Sequence, residues 1–132
     1  MLLKEWNGKK RPRILLVDDN AEMCKKVEKL LELRFEVIGS VADGQQAIES
    51  ASSLNPDFLV SDISMPILNG IQMASQLRDL GCTTKVIFVT VHDDDDYRVA
   101  ASSIGAAGYV LKARIDTDLI PAIEMVLRKT RT

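Results

Sequence analysis

Four short apolar runs recur along the chain, and each stops abruptly at polar residues. Ile14-Leu15-Leu16-Val17 gives way to Asp18-Asp19, and Phe58-Leu59-Val60 to Ser61-Asp62. Val86-Ile87-Phe88-Val89 gives way to Thr90, and Tyr109-Val110-Leu111 to Lys112. Unbroken apolar runs of this length mark strands covered on both faces. Phe35 to Val41 reads as a further strand; Glu36 interrupts its apolar pattern, so it is expected at an edge of the sheet. Pro56 breaks the chain before the Phe58 run, and Pro66 forbids simple continuation after it.

The segments between the runs carry helical spacing. Asn20 is placed to cap a helix with Met23, Val27, Leu30 and Leu31 on one face. Asp43 with Gln46 three residues on resembles a capping box, opening a helix with Ala47, Ile48, Ala51 and Leu54 inward. Asn69-Gly70 opens a third helix with Ile71, Ala74 and Leu77 on one face, and Gly81 is placed to end it. Asp93 to Asp96 precede a helix with Val99, Ala100 and Ile104, stopped near Gly105. The last helix carries Leu119, Ile120, Ile123, Val126 and Leu127. Pro121 is tolerable only in its first turn, which puts the cap at Asp118 or just before it. Strict alternation of strand and helix implies an α/β fold: a doubly wound parallel sheet, right-handed crossovers, and helices on both faces.

At 132 residues this is one domain's length, with 46% hydrophobic and 27% charged residues, a composition that fits a soluble globular protein. The net charge of -2 gives no global pull toward nucleic acid or membrane. Cys24 and Cys82 stand far apart without metal or redox spacing, and read as small hydrophobes in a reducing compartment. Neither a signal-peptide core nor a membrane-length apolar run is present, so a cytoplasmic location is expected. Residues 1–12, with Lys4, Lys9, Lys10, Arg11 and a lone Trp6, read as a flexible N-terminal extension, and order is expected over 13–132.

In a parallel sheet all strand carboxyl ends lie on one edge, where open α/β folds bind ligands. Asp18, Asp19, Asp62, Thr90 and Lys112 therefore converge there, although none but the first two are close in sequence. Three carboxylates without a nearby His or Cys suit a hard cation, chiefly Mg²⁺. Unpaired, they would repel one another and raise their pKa values. Lys112 supplies a point charge suited to phosphate and Thr90 a hydroxyl donor. Carboxylate, Mg²⁺, Lys and hydroxyl together describe a phosphoryl-transfer site, in which a carboxylate can be the nucleophile.

These residues, with Met65-Pro66, Asn69-Gly70 and Tyr109 at their spacings, resemble the receiver domain of bacterial two-component response regulators over about residues 13–128. Ala42 to Ala47 and Asp118 to Ile123 look most like the NarL/FixJ-type transcription regulators. The resemblance implies a flavodoxin-like (CheY-like) fold, strand order 2-1-3-4-5 with five helices. It implies that Asp62 accepts a phosphoryl group from a phosphohistidine on a sensor histidine kinase. Asp19, Asp62 and the Ser64 backbone carbonyl would hold Mg²⁺ directly, and Asp18 mainly through water. Lys112 would pair with phosphoryl oxygens. Thr90 would swing toward the phosphoryl group and Tyr109 would turn inward, switching the face around the fourth helix, fifth strand and fifth helix. The protein would be a signalling switch rather than a metabolic enzyme, although it assists its own phosphorylation and dephosphorylation. A homodimer formed on phosphorylation is allowed but not implied. DNA would be contacted only through a C-terminal output domain, and the given sequence contains no DNA-binding element.

Four positions depart from the family pattern or vary within it, and at one of them Ala113 follows Lys112 where many receivers have proline, so no cis-proline is expected there. Val91 stands where a small residue is usual, so access to the phosphoryl group is expected to be tighter. Ser64 and His92 occupy positions that tune phosphoryl lifetime. His92, the one histidine, otherwise reads as a solvated loop residue. Asp93 to Asp96 read as a solvated helix start favoured by the macrodipole. Two other functions stay open: a module of this fold that signals without phosphorylation, and a Mg²⁺-dependent aspartyl-phosphate phosphatase. Ile63-Ser64 after Asp62 supplies no second carboxylate as general acid for the latter.

Overall fold

The computed structural model describes residues 11–130, with the side chain of residue 130 left aside. Five strands, β1 (Arg13–Val17), β2 (Glu36–Val41), β3 (Phe58–Ser61), β4 (Lys85–Thr90) and β5 (Gly108–Leu111), alternate with five helices. The helices are α1 (Ala21–Leu31), α2 (Gly44–Leu54), α3 (Gly70–Asp79), α4 (Asp95–Ser103) and α5 (Ile115–Thr130). All strand pairings are parallel, in the order β2-β1-β3-β4-β5. The order is the expected one, and the Glu36-bearing strand is at an edge.

Side chains alternate across the sheet with the two-residue period of a strand. Ile14, Leu16, Phe58, Val60, Ile87, Val89 and Val110 pack on α1 and α5 through Val27, Leu31, Ile115, Leu119 and Ile123. Leu15, Val17, Leu59, Val86 and Phe88 face the other way, onto Ala47 and Ala51 of α2, Met73, Ala74 and Leu77 of α3, and Ala101 of α4. Both faces are dry, which is why the strand runs are apolar at every position rather than at every second one.

Local signals set most boundaries. Asn20 accepts from the Met23 amide as the cap of α1. Asn69 and Gln72 form a complete capping box on α3. At α2 the box is displaced: Asp43 accepts from the Gln46 amide, but the Gln46 side chain takes the Ala42 amide. Gly81 and Gly105 follow α3 and α4 with φ +77° and +82°, a backbone region that glycine enters without a Cβ penalty.

Four readings are corrected. Phe35 precedes β2 rather than opening it, and is buried in the core below α1 and α5. Leu54, expected inward, is among the exposed hydrophobics because it closes the last turn of α2. Pro121 is well inside α5 and not in its first turn, for the helix starts at Ile115. Burial of Ile115 and Leu119 pulls the chain into helix early, directly from a 3-10 turn over Lys112–Arg114. The bond lost at Pro121 leaves the Thr117 carbonyl on an exposed surface where water reaches it. Finally, Arg11 and Pro12 do not belong to a loose extension. The Arg11 guanidinium donates to the Glu32 and Leu33 carbonyls, and the Pro12 carbonyl accepts from the Glu36 amide. The rest of the expected extension, residues 1–10, lies outside the described residues.

The start of α3 touches the end of β3 without a spacer. The Gly70 amide donates to the Ile63 carbonyl at 2.7 Å, and a Cβ on Gly70 would collide with the Asp62 carbonyl oxygen and the Phe88 ring. Gly70→Ala is expected to destabilise by about 1–3 kcal/mol, the cost of overpacking a filled core. Gly39→Ala, whose Cβ would meet only a Leu15 methyl at 3.8 Å, is expected to be near neutral. Urea unfolding of the two variants checks both.

Candidate functional site: an acidic cluster bridged by one lysine

Because β1, β3, β4 and β5 run parallel, their carboxyl ends bring Asp18, Asp19, Asp62, Thr90 and Lys112 to one edge. Carboxylate oxygens of Asp18, Asp19 and Asp62 lie within 4.8 Å of one another, a group able to hold a metal ion. Asp19 is exposed, whereas Asp62 is only 8% exposed. The Lys112 ammonium bridges two of them, 3.0 Å from Asp62 Oδ2 and 3.2 Å from Asp18 Oδ2. Burial works against the charged ammonium, but its bonds to Asp62 and Asp18 outweigh that and hold its pKa above the ordinary lysine value.

The other Asp62 oxygen, Oδ1, accepts from the Ile63 amide at 2.7 Å and the Ser64 amide at 3.3 Å. Backbone thus fixes one oxygen and the ammonium fixes the other. Asp18 is aimed by the Asn20 amide, which donates to its Oδ1 at 2.9 Å. Desolvation raises the Asp18 pKa, an effect only partly offset by the Asn20 bond and Lys112, while the Asp62 charge adds to it. For a raised carboxyl the linked stability is present below the ordinary value of about 3.9 and is lost as pH rises through the folded value. At neutral pH, ionised Asp18 is therefore a cost to the fold that a nearby cation would relieve.

A second chain of contacts runs along the β4–α4 loop. The buried Thr90 hydroxyl accepts from the His92 amide at 3.2 Å, and the Tyr109 hydroxyl donates to the His92 carbonyl at 2.7 Å. Tyr109 is half-buried, with the Arg98 guanidinium 4.7 Å over its ring. His92 Nε2 and Ser64 Oγ form a hydrogen bond of 2.7 Å, and the His92 ring stacks on Tyr97 at 4.0 Å. The reading of His92 as a solvated loop residue is corrected: it clasps the β4–α4 loop to the β3–α3 loop. Ser64 and His92 follow the paired strands β3 and β4, three residues past Ser61 and two past Thr90, and so come to the same edge of the sheet. Val91, by contrast, points away into solvent and is 70% exposed. That exposure does not match a side chain narrowing access to Asp62.

A doubly wound sheet with an acidic, lysine-bridged carboxyl edge has the architecture of a receiver-type domain. The family model for the response regulator receiver domain matches residues 14–124. The chain belongs to that family, whose members receive phosphoryl groups from sensor kinases in two-component systems. It is 32% identical to the transcriptional regulatory protein DegU of Brevibacillus brevis, over 94% of this chain and 53% of that protein. It is 33% identical to the nitrate/nitrite response regulator protein NarL of Escherichia coli, over 90% of this chain and 59% of that one. The chain thus spans a little over half the length of these curated relatives. The signal receiver domain of a NarL response regulator from Mycobacterium tuberculosis superposes with a TM-score of 0.81 at 28% identity, covering 93% of this chain and 98% of that one. Among the described residues, no helix is long and apolar enough to cross a membrane.

The sign of the Lys112 shift yields a test. A raised lysine contributes stability that is complete below its ordinary value of about 10.4 and is lost as pH climbs through the higher folded value. Urea stability of the metal-free protein is expected to fall above that pH. Lys112→Met should flatten this part of the profile, measured between about pH 9 and 11.5.

Proposed function

We propose that this chain is a phosphoacceptor switch in which Asp62 takes a phosphoryl group from a sensor histidine kinase. The observation that carries this reading is the Lys112 ammonium bridging Asp62 and Asp18 beside Asp19, on the edge where the strand carboxyl ends meet. In the transfer an Asp62 carboxylate oxygen attacks phosphorus as the bond to the donor imidazole nitrogen breaks. The imidazole leaves with the electron pair, and an acyl phosphate is formed. The Ile63 and Ser64 amides hold the carboxylate in one orientation, and Lys112 is positioned to follow the negative charge onto the phosphoryl oxygens.

The donor set fits Mg²⁺, since Asp18, Asp19 and Asp62 offer only oxygen. With the Ser64 carbonyl they would hold the ion, which supplies charge neutralisation between carboxylates and phosphoryl oxygens when bound. Once Asp62 is phosphorylated, the Thr90 hydroxyl gains a stronger, charged acceptor. Turning to it gives up the bond from the His92 amide, and the His92 carbonyl is what holds the Tyr109 hydroxyl. The signal would pass by that route to the face of α4, β5 and α5. Ser64 and His92, bonded across the site, would tune how long the acyl phosphate survives.

The transcription regulators among the relatives, and the half of their length that this chain spans, support a regulatory half whose output lies elsewhere in a longer protein. DNA contact and dimerisation on phosphorylation belong to that wider reading, as does a cytoplasmic location.

Incubation with Mg²⁺ and a small acyl phosphate is expected to add the mass of one phosphoryl group, and to add nothing in Asp62→Asn or with a chelator. No gain with the fold intact by circular dichroism would favour signalling without phosphorylation. Separately, Mg²⁺ is expected to raise the melting temperature at pH 7. Asp18→Asn should leave the metal-free protein at least as stable and shrink that rise, because the desolvated charge is gone.

A further inference from the structure

Ile67 stands out in the β3–α3 loop for two reasons that do not explain each other. Its φ is +71°, and the Leu68 amide donates to the Pro66 carbonyl at 2.7 Å, closing a γ-turn around it. That conformation is strained for any side chain and worst for a β-branched one. The turn itself has a structural reason, because it delivers Leu68 against the apolar core on the α2 and α3 side and Asn69 to the cap of α3. Glycine or asparagine would make the same turn at lower strain. The fold gives no reason for isoleucine, since the side chain is 80% exposed.

The position of that side chain is equally specific. Leu33, Leu54 and Leu80, also exposed, sit at or just past the ends of α1, α2 and α3, on the edge away from Asp62. Val99 and Met125 lie along α4 and α5. Among the described residues, Ile67 and Val91 are the exposed large hydrophobics carried by loops at the carboxyl ends of the strands. Those two loops flank Asp62, and the Ser64–His92 bond ties them together. The exposed carboxylates of Asp93 to Asp96 follow Val91 in the chain, so the apolar side chain of that loop is bordered by charge, as at the rim of a protein contact.

We propose that Ile67, with Val91 beside the site, is a docking contact for a protein phosphodonor whose phosphohistidine is bordered by apolar side chains. The proposal rests on the acceptor reading of Asp62. That carboxylate is nearly covered, and a reacting nitrogen-bound phosphoryl group must come within about 3–3.5 Å of it. An imidazole reaches only a short way beyond its own backbone, so the donor's surface must lie on the loops around Asp62, the β3–α3 and β4–α4 loops among them. Exposed apolar groups there bind by shedding water on contact, and strain of this kind is commonly retained at such sites. A small acyl phosphate needs no such surface, which separates docking from chemistry.

The experiment uses Ile67→Gly, Ile67→Asn and Ile67→Leu in the full chain. The donors are a small acyl phosphate and, from a panel of autophosphorylated sensor kinases, the one that transfers fastest to the unmodified chain. Glycine and asparagine variants are expected to melt no lower than the parent and to react with the small donor at the parental rate. Their transfer from the kinase should slow about five- to tenfold, the effect of one central apolar contact. Ile67→Leu, which keeps the apolar side chain, should restore transfer to within about twofold. Unchanged kinase transfer in the glycine and asparagine variants would overturn the docking role. Failure of the unmodified chain to accept from either donor would instead overturn the acceptor reading, and the docking proposal with it.

Discussion

Parallel pairing of all five strands is the constraint on which the rest depends. It forces a helix between every two strands, so both faces of the central strands are buried and their inner positions are apolar, while the edge strand β2 stays partly exposed. It also forces the carboxyl ends onto one edge, where polar residues from four separate strands meet. The same geometry that empties the sheet of charge therefore concentrates charge at its rim. Three carboxylates and one ammonium are gathered there at a cost, visible in the desolvated Asp18 carboxyl.

Lys112 is what makes that gathering tolerable in the absence of a cation. It reaches two of the three carboxylates and remains mostly shielded from water itself. The bridge leaves the group short of neutral by two charges, counting three carboxylates against one ammonium. A polyanionic ligand would be repelled by such a site alone, whereas a divalent cation would balance it. Electrostatics thus makes the acidic group a candidate for a hard divalent cation.

The sheet, its order, the helix caps at Asn20 and Asn69, and the convergence of Asp18, Asp19, Asp62, Thr90 and Lys112 were legible in the sequence. The strand order came from the resemblance to the receiver family; the others follow from period, cap chemistry or topology, all of which are local or combinatorial. What was illegible depends on tertiary packing. Pro121 reads as a helix start, yet burial of Ile115 and Leu119 extends the helix past it. Leu54 follows the right period but falls where the helix leaves the sheet. His92 looks solvated because Ser64 becomes its neighbour only when β3 and β4 pair, and Tyr97 only when α4 folds back on the loop. Ile67 carries no signal at all in one dimension, since its oddity is a dihedral angle.

The two walls of the Asp62 crevice are not built alike. On the β3–α3 side, Gly70 sits so close to the Asp62 backbone that no atom can be inserted, and its amide is bonded to the Ile63 carbonyl. On the β4–α4 side, the loop is joined across the crevice by a side-chain bond between Ser64 and His92. A lever needs one arm that yields and a fulcrum that does not. If Asp62 takes up the proposed phosphoryl charge, α3 offers the fulcrum and the β4–α4 loop the arm that yields. The stiffness of that wall comes down to a missing methyl group.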